Sequence, residues 1–231
     1  VDIVYGRVDR TSTETTSAGG SLRASNESPI FNHGNKFVIG ASIDHSDITF
    51  TSGSYLGMIF PDLSVGPSAD VPGSGALIHT LGNLGYAPVG LVATTDYYGI
   101  YAVDNFDVTE RLTVTAGLRV NIADIGTGDA TGKAPELNGS TSYSRANPLV
   151  GATYKIIDDV TAYAGWSQAN RAPTPLELDC ADPVKPCLLE NSLVADPPLK
   201  QVVSETFEIG LRGTTIVENG RLGWKFGLYR T

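Results

Sequence analysis

The alternation between Arg111 and Ile122 constrains this chain most. Leu112, Val114, Ala116, Leu118, Val120 and Ile122 are apolar, while Arg111, Thr113, Thr115, Gly117, Arg119 and Asn121 between them are small, polar or charged. Successive side chains of a strand point to opposite faces, so the two sets lie on opposite sides of one sheet. Leu222, Trp224, Phe226 and Leu228 alternate in the same way with Arg221, Gly223, Lys225 and Gly227. A greasy face without charge, backed by a polar face, is the dyad pattern of a membrane-spanning β-barrel, with lipid outside and a polar lumen inside.

Composition is compatible with that pattern. Hydrophobic residues make up 41% of the 231 residues, and mean hydropathy is -0.02. No apolar run approaches the roughly 20 residues a transmembrane helix needs, but a barrel strand needs only about 9–11, half of them polar. Gly (26 residues) and Tyr (10) are abundant and Met occurs once, which favours strands and turns over helices. A net charge of -9 argues against nucleic-acid binding, which calls for a basic patch. The chain starts at Val1 without a basic or apolar leader and ends at Thr231 within an alternating strand, the expectation for part of a longer mature chain.

The connections alternate in length. Val108-Thr-Glu-Arg111 joins a strand near Tyr98–Asp107 to the one beginning at Arg111, with Thr109-Glu110 at its tip. Asp158-Asp159 joins Leu149–Ile157 to Val160–Gln168, and Asn219-Gly220 joins Val202–Gly213 to Arg221–Tyr229, Asn-Gly favouring a type I′ turn. A looser link, Glu27 to Gly34, leads to Lys36–Ile43, and Ile3–Asp9 and Ser21–Ser25 add further strands. Between these hairpins, Thr49–Asp96, Ala123–Ser142 and Arg171–Gln201 are long and rich in Gly, Ser, Pro or polar residues. Short turns at one rim and long loops at the other are the asymmetry of a membrane barrel. The reading is an all-β, antiparallel up-and-down transmembrane barrel, incomplete, with about eight strands and residues 1–231 forming part of a single barrel domain. Tyr97, Tyr98, Tyr101, Tyr154, Tyr163, Trp166, Trp224 and Tyr229 cluster near strand ends and suit interfacial girdles.

No catalytic constellation is visible, and the chain reads as a non-enzyme without a cofactor. His33, His45 and His79 are scattered and read as solvated side chains rather than metal ligands. Asp179, Asp182 and Glu190 read as a solvated acidic loop, with Ca²⁺ binding the less favoured alternative. Cys180 and Cys187, the chain's two cysteines, lie six residues apart when neither is counted, in a Pro- and Asp-rich loop. They are expected to form a disulfide in an oxidising compartment, with two free thiols as the alternative and zinc disfavoured for want of nearby ligands. Ser204, Glu208 and Arg212 share one face of a strand, opposite Val203, Phe207, Ile209 and Leu211. Arg119 holds in Gly117-Leu-Arg119 the place Arg212 holds in Gly210-Leu-Arg212. If the apolar set meets lipid, then Arg119, Ser204, Glu208 and Arg212 face the lumen, where they grip a plug, line a solute path or simply pair within the wall. Glu205 breaks the apolar face and is expected near the external rim.

Three successive elements resemble TonB-dependent outer-membrane receptors: the hairpin from Tyr101 through Val108-Thr-Glu-Arg111 to Arg119; Asn147-Pro-Leu-Val-Gly-Ala-Thr-Tyr154 followed by the strand from Val160 into Arg171-Ala-Pro-Thr-Pro-Leu-Glu177; and Asp196-Pro-Pro-Leu-Lys200 leading to Ser204, Glu208, Gly210 and Arg212. The likeness covers Tyr97 to Tyr229, and Val202 departs from the Glu that family commonly carries there. It implies a barrel of about twenty-two strands in the bacterial outer membrane, a plug domain that is not present in this chain, a periplasmic TonB partner and energy-coupled import of a scarce nutrient such as a ferric siderophore. The substrate-binding residues are not readable. The rival function is a small closed outer-membrane barrel with a structural or adhesive role.

Overall fold

The computed structural model describes residues 4–78, 80–81, 84–85, 89–132, 138–179, 199–218 and 220–231. It contains the strands β1 (Tyr5–Asn26), β2 (Asn35–Ile59), β3 (Val65–Gly66), β4 (Thr80–Leu81), β5 (Leu84–Gly85), β6 (Val89–Asp107), β7 (Leu112–Asp129), β8 (Gly139–Ile157) and β9 (Val160–Arg171). A short helix α1 (Pro175–Asp179) precedes β10 (Val202–Val217) and β11 (Gly220–Arg230). The long strands form one sheet in the order β1-β2-β6-β7-β8-β9-β10-β11, each antiparallel to its neighbour in sequence, as in an up-and-down wall. β1 and β11 are its two edges and do not pair with each other among the described residues, so these eight strands do not close on themselves.

The short turns follow from local chemistry and share one rim. The Thr109 hydroxyl accepts hydrogen bonds from the backbone N–H of Arg111 (3.2 Å) and Leu112 (3.0 Å), which folds the chain back after β6. Ile157 pairs with Val160, leaving Asp158-Asp159 as the two-residue loop. Val217 pairs with Gly220, so Gly220 is the first ladder residue of β11 rather than the second turn residue that Asn-Gly suggests. The looser link after β1 contains its own tight turn. Ile30 and His33 exchange backbone hydrogen bonds of 3.0 and 2.9 Å around Phe31 and Asn32, whose φ angles are 51° and 66°. That is a mirror-image turn with a non-glycine aromatic in the strained left-handed region.

The strands run further than their alternation suggests. β1 is continuous where two pieces were expected, and β2 and β7 extend into stretches that read as loop. The outward face explains this. It is apolar along the ladder row Ile43–Tyr98–Ile122 and turns polar one row on, at His45–Asp96–Asp124. Beyond that row both faces carry polar residues, so pairing continues without a period-two signal.

The sheet curls toward its polar face, where side chains separated by an intervening strand touch. Arg119 of β7 reaches Ser42 of β2 across β6, and Lys225 of β11 lies over the Tyr163 ring of β9 across β10. The opposite, convex face leaves large apolar side chains in the open: Leu118 is 47% exposed, Ile209 62% and Phe226 59%. The small buried core is on the concave side, near the long connections. There Ala123 and Ile125 of β7 pack with Ala172, and Tyr143 and Leu178 lie against them. The strands are also staggered. The row Asn26–Phe37–Asp104–Ala116–Val150–Trp166–Phe207–Arg230 starts at the short-turn end of β1 and finishes at the far end of β11. Such a shear tilts strands in a barrel wall. Asp104 is the one carboxylate this row puts among apolar neighbours, facing Phe37 and Ala116.

Candidate functional site

Register assigns the charged candidates to a single face. Arg119 pairs with Tyr101 and Asn147. Glu208 pairs with Gly165 and Tyr229, and Arg212 with Thr161 and Lys225. Following the ladders inward from each, all three lie on the concave side, as does half-buried Ser204 opposite Ala169. Leu112, Val114, Leu118, Phe207, Ile209, Trp224 and Phe226 lie on the convex side.

Two clusters stand out on the concave face. In the first, Tyr163 donates to Glu208 Oε1 at 2.9 Å, and Lys225 Nζ lies 3.2 Å from the same oxygen and 4.9 Å from the Tyr163 ring centroid. Arg212 flanks this group in a hollow of about 420 Å³ that also includes Thr115 and Tyr163. The ring of Tyr163 crosses β10 because Gly210 has no side chain; a Cβ there would sit 2.5 Å from the Tyr163 hydroxyl.

The second cluster is built around Arg119. Its Nη2 donates to Ser42 Oγ at 3.1 Å and its Nε to Asn121 Oδ1 at 2.6 Å. The guanidinium lies 5.6 Å from the Tyr101 ring centroid, a cation–π distance. Gly99 lets it pass, since a Cβ at 99 would overlap Arg119 Nη2. Asn121 and Asn147 both donate to Asn170 Oδ1, at 2.9 and 2.6 Å. Asn170 in turn donates to Gln201 Oε1 at 2.8 Å. Arg145 pairs with Asn121 across the ladder and reaches Gln168 at 3.5 Å. Gln168 donates to Glu205 at 2.6 Å. Glu205 is thus satisfied locally, about as far from its short turn as Ile122 and Asp124 are from theirs.

A depression of about 660 Å³ lies on the other face, among Val150, Ala152, Ala164, Trp166, Phe207 and Ile209. Its lining is mostly apolar, which suits hydrocarbon, although Glu208 and Arg230 also belong to it.

The link after β9 is anchored at the long-loop rim. Arg171 grips Glu177 with two hydrogen bonds, 2.9 and 3.2 Å. Thr174 and Glu177 form a reciprocal capping box, with Thr174 N–H donating to Glu177 Oε2 at 2.7 Å and Glu177 N–H to Thr174 Oγ1 at 3.3 Å. The Arg171 guanidinium, followed by the Thr174 N–H, holds the Glu177 carboxyl down at about 2.

Of the histidines, His33 lies in the short link, with Nδ1 2.8 Å from the Asp107 carbonyl, while His45 contacts Asp96 and Asp47 on the convex side, so the two do not meet. His79, Cys180, Asp182, Cys187 and Glu190 lie outside the described residues, as does the side chain of Asp179, and so does the expected disulfide. The girdle reading fails for Tyr97, Tyr101, Tyr163 and Tyr229, which the register puts on the concave face opposite Ala123, Arg119, Gly210 and Glu208, and the sequence reading did not pick out Arg145 or the asparagine network. No local motif marks them, and only the cross-strand register brings them together. Helix α1 was also missed, although Thr174-Pro-Leu-Glu177 carries the capping-box spacing with Pro at the first helical position.

An open, staggered, antiparallel wall with a polar concave face and an apolar convex one has the form of part of a β-barrel. The family model described as TonB dependent receptor-like, beta-barrel, matches residues 3–231, and the chain belongs to that family. A comparison with curated proteins finds no match. Among solved structures, the chain is similar to the ferric citrate transporter FecA, at 16% identity and a TM-score of 0.59, covering 96% of this chain and 28% of that one. It is similar to Pseudomonas aeruginosa FpvA bound to pyoverdine, at 19% identity and 0.63, covering 96% and 25%. It is also similar to the ferric-catecholate import receptor Fiu from E. coli K12, at 15% identity and 0.58, covering 95% and 31%. The chain therefore spans between a quarter and a third of these relatives, and at such identities the likeness speaks to the fold.

Proposed function

We propose that this chain is part of the wall of a bacterial outer-membrane, TonB-dependent transporter that imports a scarce nutrient of the ferric siderophore class. The observation that carries the reading is the division between the two faces. From Leu112 to Ile122 the convex side of β7 is apolar at every outward position. At about 3.3 Å per residue that stretch runs about 33 Å along the strand, or about 25 Å along the axis at a tilt of about 40°, the height of the apolar band on an outer-membrane barrel. The polar row His45–Asp96–Asp124 then marks the outer limit of the lipid.

On this reading Arg119, Ser204, Glu208 and Arg212 face the lumen, where they meet a plug domain of the same full-length protein or the solute path. The long connections capture the ligand outside, and a periplasmic TonB protein supplies the energy. Family membership supports the reading, as do the ferric-ligand receptors that share the fold. The rival small closed barrel has less support, because β1 and β11 stand as separate edges.

The test is uptake of radiolabelled ferric siderophores by cells expressing the full-length receptor in a strain lacking other siderophore receptors. Accumulation of at least one complex that disappears when TonB is deleted is the expected result. Uptake indifferent to TonB, or no uptake of any ferric complex, would overturn the proposal.

A further inference from the structure

We infer that the convex face carries a binding site for a phosphate-bearing lipid of the outer leaflet, with an acyl chain in the hollow over β8, β9 and β10 and the phosphate on Arg230. The inference rests on the placement of this face against lipid and is independent of the solute the receptor carries.

The hollow follows from residue size. Ala152 and Ala164 pair across the β8–β9 ladder, and Ala164 pairs in turn with Ile209. One row nearer the long connections, Val150, Trp166 and Phe207 stand side by side, with the Trp166 and Phe207 rings 6.4 Å apart. Two alanines beside these large side chains leave the depression of about 660 Å³. Phe207 is 55% exposed, so the surface is open rather than packed against protein. A hollow on a lipid-facing wall gains many small dispersion contacts when a hydrocarbon chain fills it.

Charge decides which lipid. Arg230 ends that row opposite Phe207 and belongs to the same depression. It stands about as far from its short turn as Ile122, the last convex apolar residue of β7 before Asp124, does from its own. That level is the outer edge of the apolar band, where an arginine on the lipid face costs little and its long stem carries the charge to the headgroups. Arg230 forms no ion pair among the described residues. Glu208, which also borders the depression, turns its carboxylate to Tyr163 and Lys225 on the concave side. Glu205, on the same face as Arg230, accepts from Gln168 at 2.6 Å. The guanidinium fork is left to an anionic oxygen, and phosphate fits it bidentately.

The rest of the rim sharpens the choice. On β2, β6 and β7 the convex face just beyond the apolar band carries Asp47, Asp96 and Asp124 beside His45. An anionic headgroup is repelled there and drawn to the sector of Arg230. A lipid without net charge would have no such preference.

The experiment uses the full-length receptor, purified in detergent and stripped of lipid, with binding read by native mass spectrometry. The probes are diphosphoryl lipid A and, separately, phosphatidylethanolamine. Arg230→Gln, Ala164→Leu and the control Arg221→Gln, which alters a cation of the opposite face and rim, are compared with the unaltered receptor, each checked for folding by heat-modifiable migration. The unaltered receptor should hold lipid A more tightly than phosphatidylethanolamine. Arg230→Gln should raise the lipid A concentration for half occupancy about fivefold or more, through loss of the charged fork. Ala164→Leu fills the hollow, leaves the charge and should also weaken binding, while Arg221→Gln should not. Equal lipid A binding by Arg230→Gln and the unaltered receptor would overturn the inference. So would equal retention of the two lipids, or unchanged binding by a folded Ala164→Leu. If Ala164→Leu does not fold, the Arg230 comparison decides. TonB-dependent uptake by Arg230→Gln, measured alongside, reports on the transporter reading alone, because this side chain faces away from the lumen.

Discussion

The two clusters on the concave face are built alike and end differently. Each has a tyrosine, a long cationic side chain and a glycine that lets one of them cross a strand. Around Tyr163 the cation finds a carboxylate, and Glu208 closes the group on Lys225. Around Tyr101 no ion pair forms among the described residues, and Ser42 and Asn121 accept hydrogen bonds from Arg119 without neutralising it. Neutralising a charge within the wall serves the wall. The difference teaches that positioning and neutralisation are separable, and that the second cluster has only the first.

The glycines offer the largest break. A Cβ at 210 would overlap the Phe226 carbonyl oxygen, a backbone atom that cannot swing aside. Gly210→Ala should lower the stability of the full-length receptor in lipid vesicles by about 1–3 kcal/mol, as overpacking does. Gly99→Ala meets first the Arg119 Nη2 and Cζ and the Ser42 Oγ, all at the ends of rotatable side chains. It should cost less than about 0.5 kcal/mol. Equal losses of stability in urea titrations of the two would erase the contrast.

At the long-loop rim, acid should open what Arg171 and Glu177 close. The Glu177 carboxyl is held at about 2, below its ordinary value of 4.5. A depressed acid contributes stability that is present above the unfolded value and is lost as pH falls through the folded one. Proteolytic cleavage between residues 172 and 178 should therefore rise as the pH drops from about 5 toward 2, and Glu177→Gln should show it already at pH 6. Cleavage indifferent to pH in the unaltered receptor would mean the bridge does not anchor this link.

A smaller effect separates the clusters directly. A double-mutant cycle on Glu208→Gln and Lys225→Met should give a small favourable coupling that salt weakens, as for other solvent-screened pairs. Smallest of all, Arg119→Gln should shift unfolding by no more than about 0.5 kcal/mol, because no ion pair is lost with it. A destabilisation by Arg119→Gln larger than the Glu208–Lys225 coupling would make Arg119 a structural residue and reverse the comparison.

The sequence disclosed what depends on contrast between faces. The strand from Leu112 to Ile122, the turns at Thr109-Glu110 and Asp158-Asp159 and the shared face of Ser204, Glu208 and Arg212 all follow from period-two alternation and turn chemistry. Where the contrast fades, so did the reading. Ser52 and Ser54 are buried in β2 within a stretch that looks like polar loop, because beyond His45 neither face needs to be apolar. The second cluster was half legible. Arg119 showed itself through its repeat of the Arg212 context, but Arg145 and Asn147 share a face with it only through the β7–β8 register, which no single strand encodes. The Asn-Gly pair misled by one position, because pairing Val217 with Gly220 takes the glycine into the ladder.

The stagger of the ladders has a consequence for the order in which a solute would meet these groups. Arg119 and Glu208 lie on rows well apart, Glu208 facing Gly165 while Arg119 faces Asn147. Yet each stands at a similar remove from the short turn of its own hairpin, so the tilt of the strands lifts them to one storey at different compass bearings. Arg145 stands a storey higher, nearer the long connections, and Lys225 and Arg212 a storey lower. Counting from the long connections, the cluster residues therefore come in the order Arg145, then Arg119 and Glu208, then Arg212 and Lys225. The wall reads along its axis as a charge sequence that no single row of the sheet contains.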